Sequence, residues 1–372
     1  MANVLRDVEN AEIDLVVQMG DHAYNMGGDD DRRGDGYMEA WQPVLTTVPW
    51  LPIVGNHEFY DGDKLSRYLN QTEGSVIAEP RAHALIAGAS TTADTALGRL
   101  LATGNHHGVG THGSGNGPTT PGSVPSGTSR YYSVDFGLVH FVALDLNLYN
   151  SEDNCGEPCR LSQLAWLKAD LEAADSNRAS VPWIVAMSHF PLYCAQCPAP
   201  GQDPGDWWNS EECEFAGHSP SCKSTGPRGP GRTAASPAVS AKDMVPDFEP
   251  LFMRYGVDVY SSGHIHDFEF IYPVYNNTAV QKDFVNPAAP VHLVTGNGGP
   301  PSATQFGPPG SARGVKPWSH THSSRYSYTR LVAHNTTHME WIQVANNDST
   351  IIARLMVTQD KHGPFPLPKH HQ

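Results

Sequence analysis

The sequence predicts an α/β fold in four layers, two mixed β-sheets packed face to face with helices outside, on three observations. Apolar runs at residues 15–19, 51–54, 183–188 and 257–262 each stop at glycine or polar residues and have the length of buried strands. Helical spacing appears between them, clearest at 161–174, where Leu164, Leu167 and Leu171 share a face. After residue 291 the pattern turns to strands at 326–332, 338–344 and 351–357. Strands alternating with helices, followed by paired strands, is the order expected of two sheets enclosed by helices.

In chain order, 2–12 reads as a helix leading into the strand at 15–19, and 36–46 as a second short helix before 51–54. Residues 61–130 form an insertion whose second half, 104–127, is rich in Gly, Ser, Thr and Pro and therefore loop-like; His106, His107 and His112 fall there as solvated side chains. A strand pair at 131–134 and 139–144 precedes the helix at 161–174, and 198–241 is a second insertion of similar composition. The helix at 247–255 is stopped by Gly256. Residues 1–360 then make one catalytic domain, and 361–372, with His362, His370 and His371, reads as a disordered tail. At 372 residues the chain can bury a large core.

Composition narrows the function classes. No run of 18 or more apolar residues occurs, so no membrane span is expected. A formal net charge of -15 argues against nucleic acid as a partner, because duplex binding draws on Lys and Arg facing phosphates. The 19 histidines become largely charged in acid, which reduces the repulsion of a phosphorylated substrate. Residues 1–14 are mixed and acidic, unlike a signal peptide. Asn-x-Ser/Thr sites at Asn70, Asn276, Asn335 and Asn347 nevertheless suit a glycosylated, secreted or vacuolar protein. Six cysteines suit it too, most simply as Cys155 with Cys159, Cys194 with Cys197 and Cys213 with Cys222. A zinc or redox role for the Cys194-x-x-Cys197 pair is the alternative.

The strand ends carry the chemistry. Gly20-Asp21 follows the first strand, with Tyr24 three residues on; Gly55-Asn56-His57-Glu58 follows the second; His189 ends the run at 183–188; Gly263-His264-Ile265-His266 ends that at 257–262. A carboxylate such as Asp21 can bridge two cations about 3.5–4 Å apart, the spacing used in phosphoryl displacement. A phenol with an ordinary pKa of about 10 ligates well only when a hard, highly charged ion strips its proton, so Tyr24 points to ferric iron. Asn56, His189 and His264 offer oxygen and nitrogen donors suited to zinc, manganese or ferrous iron. His264 and His266, alternate residues of an extended segment, can face one cavity and serve one metal each.

These four blocks resemble four of the five signature motifs of the purple acid phosphatases, within the wider metallophosphoesterases. The likeness extends to Tyr131-Tyr132-Ser133-Val134, to Gln163-Leu164-Ala165-Trp166-Leu167, and to Pro290-Val291-His292-Leu293-Val294-Thr295-Gly296. The resemblance implies that Asp21 bridges the metals, that Tyr24 and His266 bind Fe(III), and that Asn56, His189 and His264 bind the divalent ion. It implies that His57 faces the substrate phosphate. Two departures stand out. The family's first motif, an Asp-x-Gly on a preceding strand, has no counterpart, so the iron site is expected to be one ligand short, with a signal peptide, strand and aspartate expected upstream. Asp29, Asp30 and Asp31 are the first substitutes to test. Where many members carry a further histidine downstream of His189, only His218 stands nearby as a second proton donor. The expected activity is phosphate monoester hydrolysis. A phosphodiesterase or nucleotide pyrophosphatase on the same scaffold, and a non-catalytic phosphate- or metal-binding fragment, are the rivals.

Overall fold

A computed structural model of the chain describes residues 1–24, 32–59, 123–126, 128, 130–149, 157–194, 241–298 and 316–366. Its central sheet has seven strands. In chain order they are β3 (Tyr132–Phe136), β4 (Val139–Leu144), β5 (Trp183–Ser188), β6 (Val259–Ser262), β7 (Phe268–Ile271), β10 (Val291–Thr295) and β11 (Ser319–Ser323), arranged β11-β7-β10-β6-β5-β4-β3. The four inner strands β10, β6, β5 and β4 run parallel, and β3, β7 and β11 pair antiparallel at the margins. All six residues of β5 are buried, as a strand covered on both faces requires.

The strand's period of two then divides the core. Ile184 and Ala186 join Leu167 and Leu171 of helix α4 (Glu157–Ser176) and Phe248 and Phe252 of helix α5 (Ala241–Tyr255). Trp183, Val185 and Met187 face the other way, toward Leu51 and Ile53 and toward Met339, Trp341, Leu355 and Val357. Those partners come from β2 (Trp50–Pro52), which pairs parallel with β1 (Val16–Gln18), and from the antiparallel meander β12 (Ser327–Ala333), β13 (His338–Ala345) and β14 (Ile351–Thr358). Helices α1 (Ala2–Glu9) and α2 (Arg32–Leu45) cover β1 and β2 through Val8, Val44, Leu45, Val16 and Trp50. Helices, sheet, strands, helices: the four predicted layers are present. The remaining elements are the one-turn helix α3 (Asn56–Phe59), the 3-10 turn Leu146–Tyr149 and the small hairpin β8 (Val274–Tyr275) and β9 (Thr278–Ala279).

Among the described residues β1 pairs with β2 alone and β12 with β13 alone. Their open edges line one cavity of about 740 Å³, walled by Leu15, Val17, Met187, Leu331 and Trp341 and reaching Asp21, His264 and His266.

Several expectations need correction. The tail, expected to be disordered, is packed as far as Phe365. His362 Nδ1 lies 2.9 Å from Asp258 Oδ1 and its Nε2 2.8 Å from Thr336 O, while Phe365 N–H donates to Met253 O at 2.9 Å. Asp258 is buried and needs donors, which Ile184 N–H, Arg178 and His362 supply together. The insertion of 61–130 also ends early. Val124 N–H donates to Asp170 at 2.8 Å and Trp166 Nε1–H to Val124 O at 2.7 Å, which fastens this segment to α4. Helix α5 begins six residues before the expected start and contains Pro246 and Pro250. Burial of Met244, Phe248 and Phe252 sustains it where propensity alone would stop it. Strand β7 and the polar edge strand β11 have no counterpart in the expected pattern, since Ser319-His320-Thr321-His322-Ser323 lacks an apolar face.

Candidate metal centre

Parallel strands deliver their C-terminal ends to one edge, and the ligand candidates sit there. Asp21 lies three residues beyond β1, Asn56 opens α3 after β2, His189 directly follows β5, and His264 lies two residues beyond β6. The turns are tight and partly left-handed: φ is +89° at Gly20, +53° at Asp21, +44° at Tyr24 and +61° at His264. Non-glycine residues hold such angles only where their surroundings over-determine them, commonly at functional sites. Glycine is obligatory at 55, because a Cβ there would stand 2.3 Å from Asp21 Oδ1 and 2.4 Å from Asp21 N.

The side chains meet in two groups. In the first, His189 Nε2 lies 2.8 Å from Asn56 Oδ1, 3.1 Å from His264 Nδ1 and 3.2 Å from Asp21 Oδ2; Asn56 Oδ1 lies 3.0 Å from His264 Nδ1. His189 Nδ1–H donates to Met19 O at 2.6 Å, which turns the Nε2 lone pair toward the carboxylate and the amide oxygen. Four donor atoms, Asp21 Oδ2, Asn56 Oδ1, His189 Nε2 and His264 Nδ1, thus converge, an arrangement that a cation satisfies. Asp21, His189 and His264 each offer one ligand atom, and these three atoms lie within 4.8 Å of one another. In the second group Tyr24 Oη and His266 Nε2 are 2.7 Å apart. The two histidines stand in different groups, but not from an extended segment. His264 is left-handed and Ile265 N–H turns back to Gly263 O at 2.7 Å, so a kink aims the rings apart.

The electrostatics agree with a cation site. Burial works to raise the Asp21 carboxyl, but His189 beside it, with His57 and His264 near, outweighs burial and holds it below the usual carboxylate range. Burial alone would lower His189; the Asp21 carboxylate reverses that and raises it. Burial, with help from His189, drives His264 well below the usual histidine value, and burial lowers His266. These last two are neutral imidazoles near neutral pH, the form that binds metal. The donor set of carboxylate, phenol, amide and imidazoles fits a pair of metal ions.

His57 stands at the rim. Its backbone N–H donates to Asp21 Oδ1 at 3.0 Å and its ring centroid is 4.6 Å from that of Tyr24. His218 and the run Asp29, Asp30, Asp31 lie outside the described residues. So do Asn70 and four of the six cysteines, Cys155, Cys197, Cys213 and Cys222. Asn276, Asn335 and Asn347 are exposed. Glu58 had no assigned role in the sequence reading, although it completes the Gly-Asn-His-Glu block. It is buried at 4% exposure against the backbone of the turns that carry Asp21 and Asn56.

This edge of converging ligands, on two sheets packed between helices, is that of a metallophosphoesterase. The calcineurin-like phosphoesterase family model matches residues 1–268, and the chain belongs to that family. Within it the chain is a purple acid phosphatase relative, since residues 289–353 match the iron/zinc purple acid phosphatase-like protein C model. The chain is 26% identical over 371 residues to acid phosphatase type 7 of Danio rerio, covering 98% of this chain and 66% of that protein. It is 26% identical over 364 residues to acid phosphatase type 7 of Homo sapiens, covering 96% and 64%. It therefore spans just under two thirds of these relatives. A purple acid phosphatase from yellow lupin (Lupinus luteus) seeds superposes with a TM-score of 0.55 at 19% identity, covering 96% of this chain and 49% of the lupin chain. That likeness bears on the fold, and the family carries a dinuclear metal centre.

Proposed function

We propose that the protein hydrolyses phosphate monoesters of small substrates at a centre of Fe(III) paired with a divalent ion, zinc, manganese or Fe(II). The carrying observation is the contact of Tyr24 Oη with His266 Nε2 beside the separate cluster of Asp21, Asn56, His189 and His264. Tyr24 and His266 would hold the ferric ion, Asn56, His189 and His264 the divalent one, and Asp21 both. Such a pair supplies a nucleophile at acid to neutral pH and neutralises charge developing on phosphorus. The chain's own groups do the rest. Asp21 stays ionised because its neighbours lower its pKa. His189 keeps one tautomer through Met19 O. His57 faces the phosphate from the rim and gives its ring proton to the leaving oxygen as the P–O bond breaks, so that water is consumed and an alcohol and inorganic phosphate are released.

A secreted or vacuolar setting and glycosylation at the exposed Asn276, Asn335 and Asn347 complete the proposal. The test compares turnover of an aryl monophosphate with that of a bis-aryl phosphate by metal-loaded protein at acid pH. Faster monoester turnover is expected. A preference for the diester, or phosphate binding with no turnover of either compound, would overturn it.

A further inference from the structure

Three backbone N–H groups from two separate turns converge on one buried carboxylate. Glu58 Oε2 accepts from Asp21 N at 2.8 Å and from Gly55 N at 2.9 Å, and Glu58 Oε1 accepts from His22 N at 2.8 Å. Asp21 is left-handed and belongs to the turn after β1; Gly55 immediately precedes Asn56 in the turn after β2. The turns approach so closely that no Cβ fits at Gly55. Nothing in β1–β2 pairing reaches that far, since the ladder ends at Gln18 and Pro52. The Glu58 carboxylate bonds the backbones of both turns, beside the single bonds of His57 N–H to Asp21 Oδ1 at 3.0 Å and of His22 Nε2 with Ile53 O at 3.0 Å, and charge-assisted bonds of this kind are about twice as strong as neutral ones.

We propose that Glu58 is a positioning residue of the metal centre: its carboxylate clamps the Asp21 turn onto the Asn56 turn and so sets the spacing of these two ligands. The inference rests on the metal-centre reading above. Its chemistry is specific to a carboxylate. Glutamine has the same shape but one acceptor oxygen, so whichever way its amide is turned, an NH₂ group must face at least one of the three N–H donors. Glu58→Gln therefore parts the turns at one end while leaving every ligand residue unsubstituted.

The test is zinc binding to the metal-free full chain, measured by calorimetry for wild type, Glu58→Gln, Glu58→Asp and the core variant Leu171→Ala. Leu171 is fully buried on α4 in the helix-side core, so its truncation lowers thermal stability without touching the turns. Glu58→Gln is expected to weaken zinc binding by about 10- to 100-fold, the range found when groups that orient metal ligands are removed. Glu58→Asp, which keeps both acceptor oxygens on a shorter arm, should fall between it and wild type, and it stands in for Glu58→Gln if that variant does not fold. Leu171→Ala should bind as wild type does. Zinc affinity in both Glu58 variants equal to wild type, or reduced no further than in Leu171→Ala, would overturn the clamp. Wild-type protein that takes up no zinc would instead overturn the metal-centre reading on which the clamp depends.

Discussion

Raising the pH through 9 should strip a proton from the interior of the protein and cost it a measurable part of its stability. His140 on β4 is 1% exposed and lies between two buried carboxylates, with Nδ1 2.6 Å from Asp135 Oδ1 and Nε2 3.0 Å from Asp170 Oδ2. Burial alone would lower its pKa, but Asp170 and Asp135 outweigh burial and push it up to about 9, from 6.5. A group whose folded pKa lies above its unfolded value stabilises fully below the unfolded value and loses that contribution as pH rises through the folded one. The window is therefore pH 6.5 to 9. At about 1.4 kcal/mol per unit, a shift of this size amounts to about 3 kcal/mol. Unfolding by urea at intervals from pH 6 to 10 reads it directly, with His140→Gln as reference because an amide does not titrate there. Wild type should lose about 3 kcal/mol across the window relative to the variant. Breaking the pair should also cost the variant about 3–5 kcal/mol at pH 6, since two buried carboxylates lose their cation. Parallel pH profiles for the two proteins would remove His140 as the cause. Should the variant be too unstable, the imidazole resonances of wild-type His140, followed by NMR, must still titrate near 9.

Three further outcomes follow from the site. Tyr24→Phe should abolish the visible charge-transfer absorption of iron-loaded protein, and a full iron complement with the band intact would disprove a phenolate ligand. For His57→Ala, kcat should drop by about 100-fold or more with metal content near that of wild type; turnover equal to wild type across the pH range would exclude proton donation by this ring. Gly55→Ala forces a methyl group to within 2.3 Å of Asp21 Oδ1, so bound metal measured by elemental analysis should fall. Normal stoichiometry in that variant would mean that the two turns can separate without consequence.

The candidate ligand blocks were legible in the sequence because each is local: an apolar run, a polar or glycine stop, then a donor. Asp21, Asn56, His189 and His264 could be named from that pattern alone, and the structure gathers the other three around His189 Nε2. The layers were legible for a related reason. Strand and helix periodicities record which face each element buries, and β5 shows both faces in six residues. Helix α5 was legible only from residue 247, because Pro246 and Pro250 speak against a helix that distant partners on the sheet nevertheless sustain.

What had no local signal was decided by contacts between segments far apart in the chain. Glu58 reads as an ordinary acidic residue until the turn at Asp21, 37 positions earlier, folds against it. His362 reads as part of a loose tail until Asp258, 104 positions away, gives its ring a buried partner. His140 shows no sign of a high pKa until β3, β4 and α4 enclose it with two carboxylates. Residue types and their periodicity set which donors exist and which faces are buried. Distances between turns, the aim of each lone pair and the charge around each imidazole arise only when the layers close, because they depend on groups from separate segments of the chain.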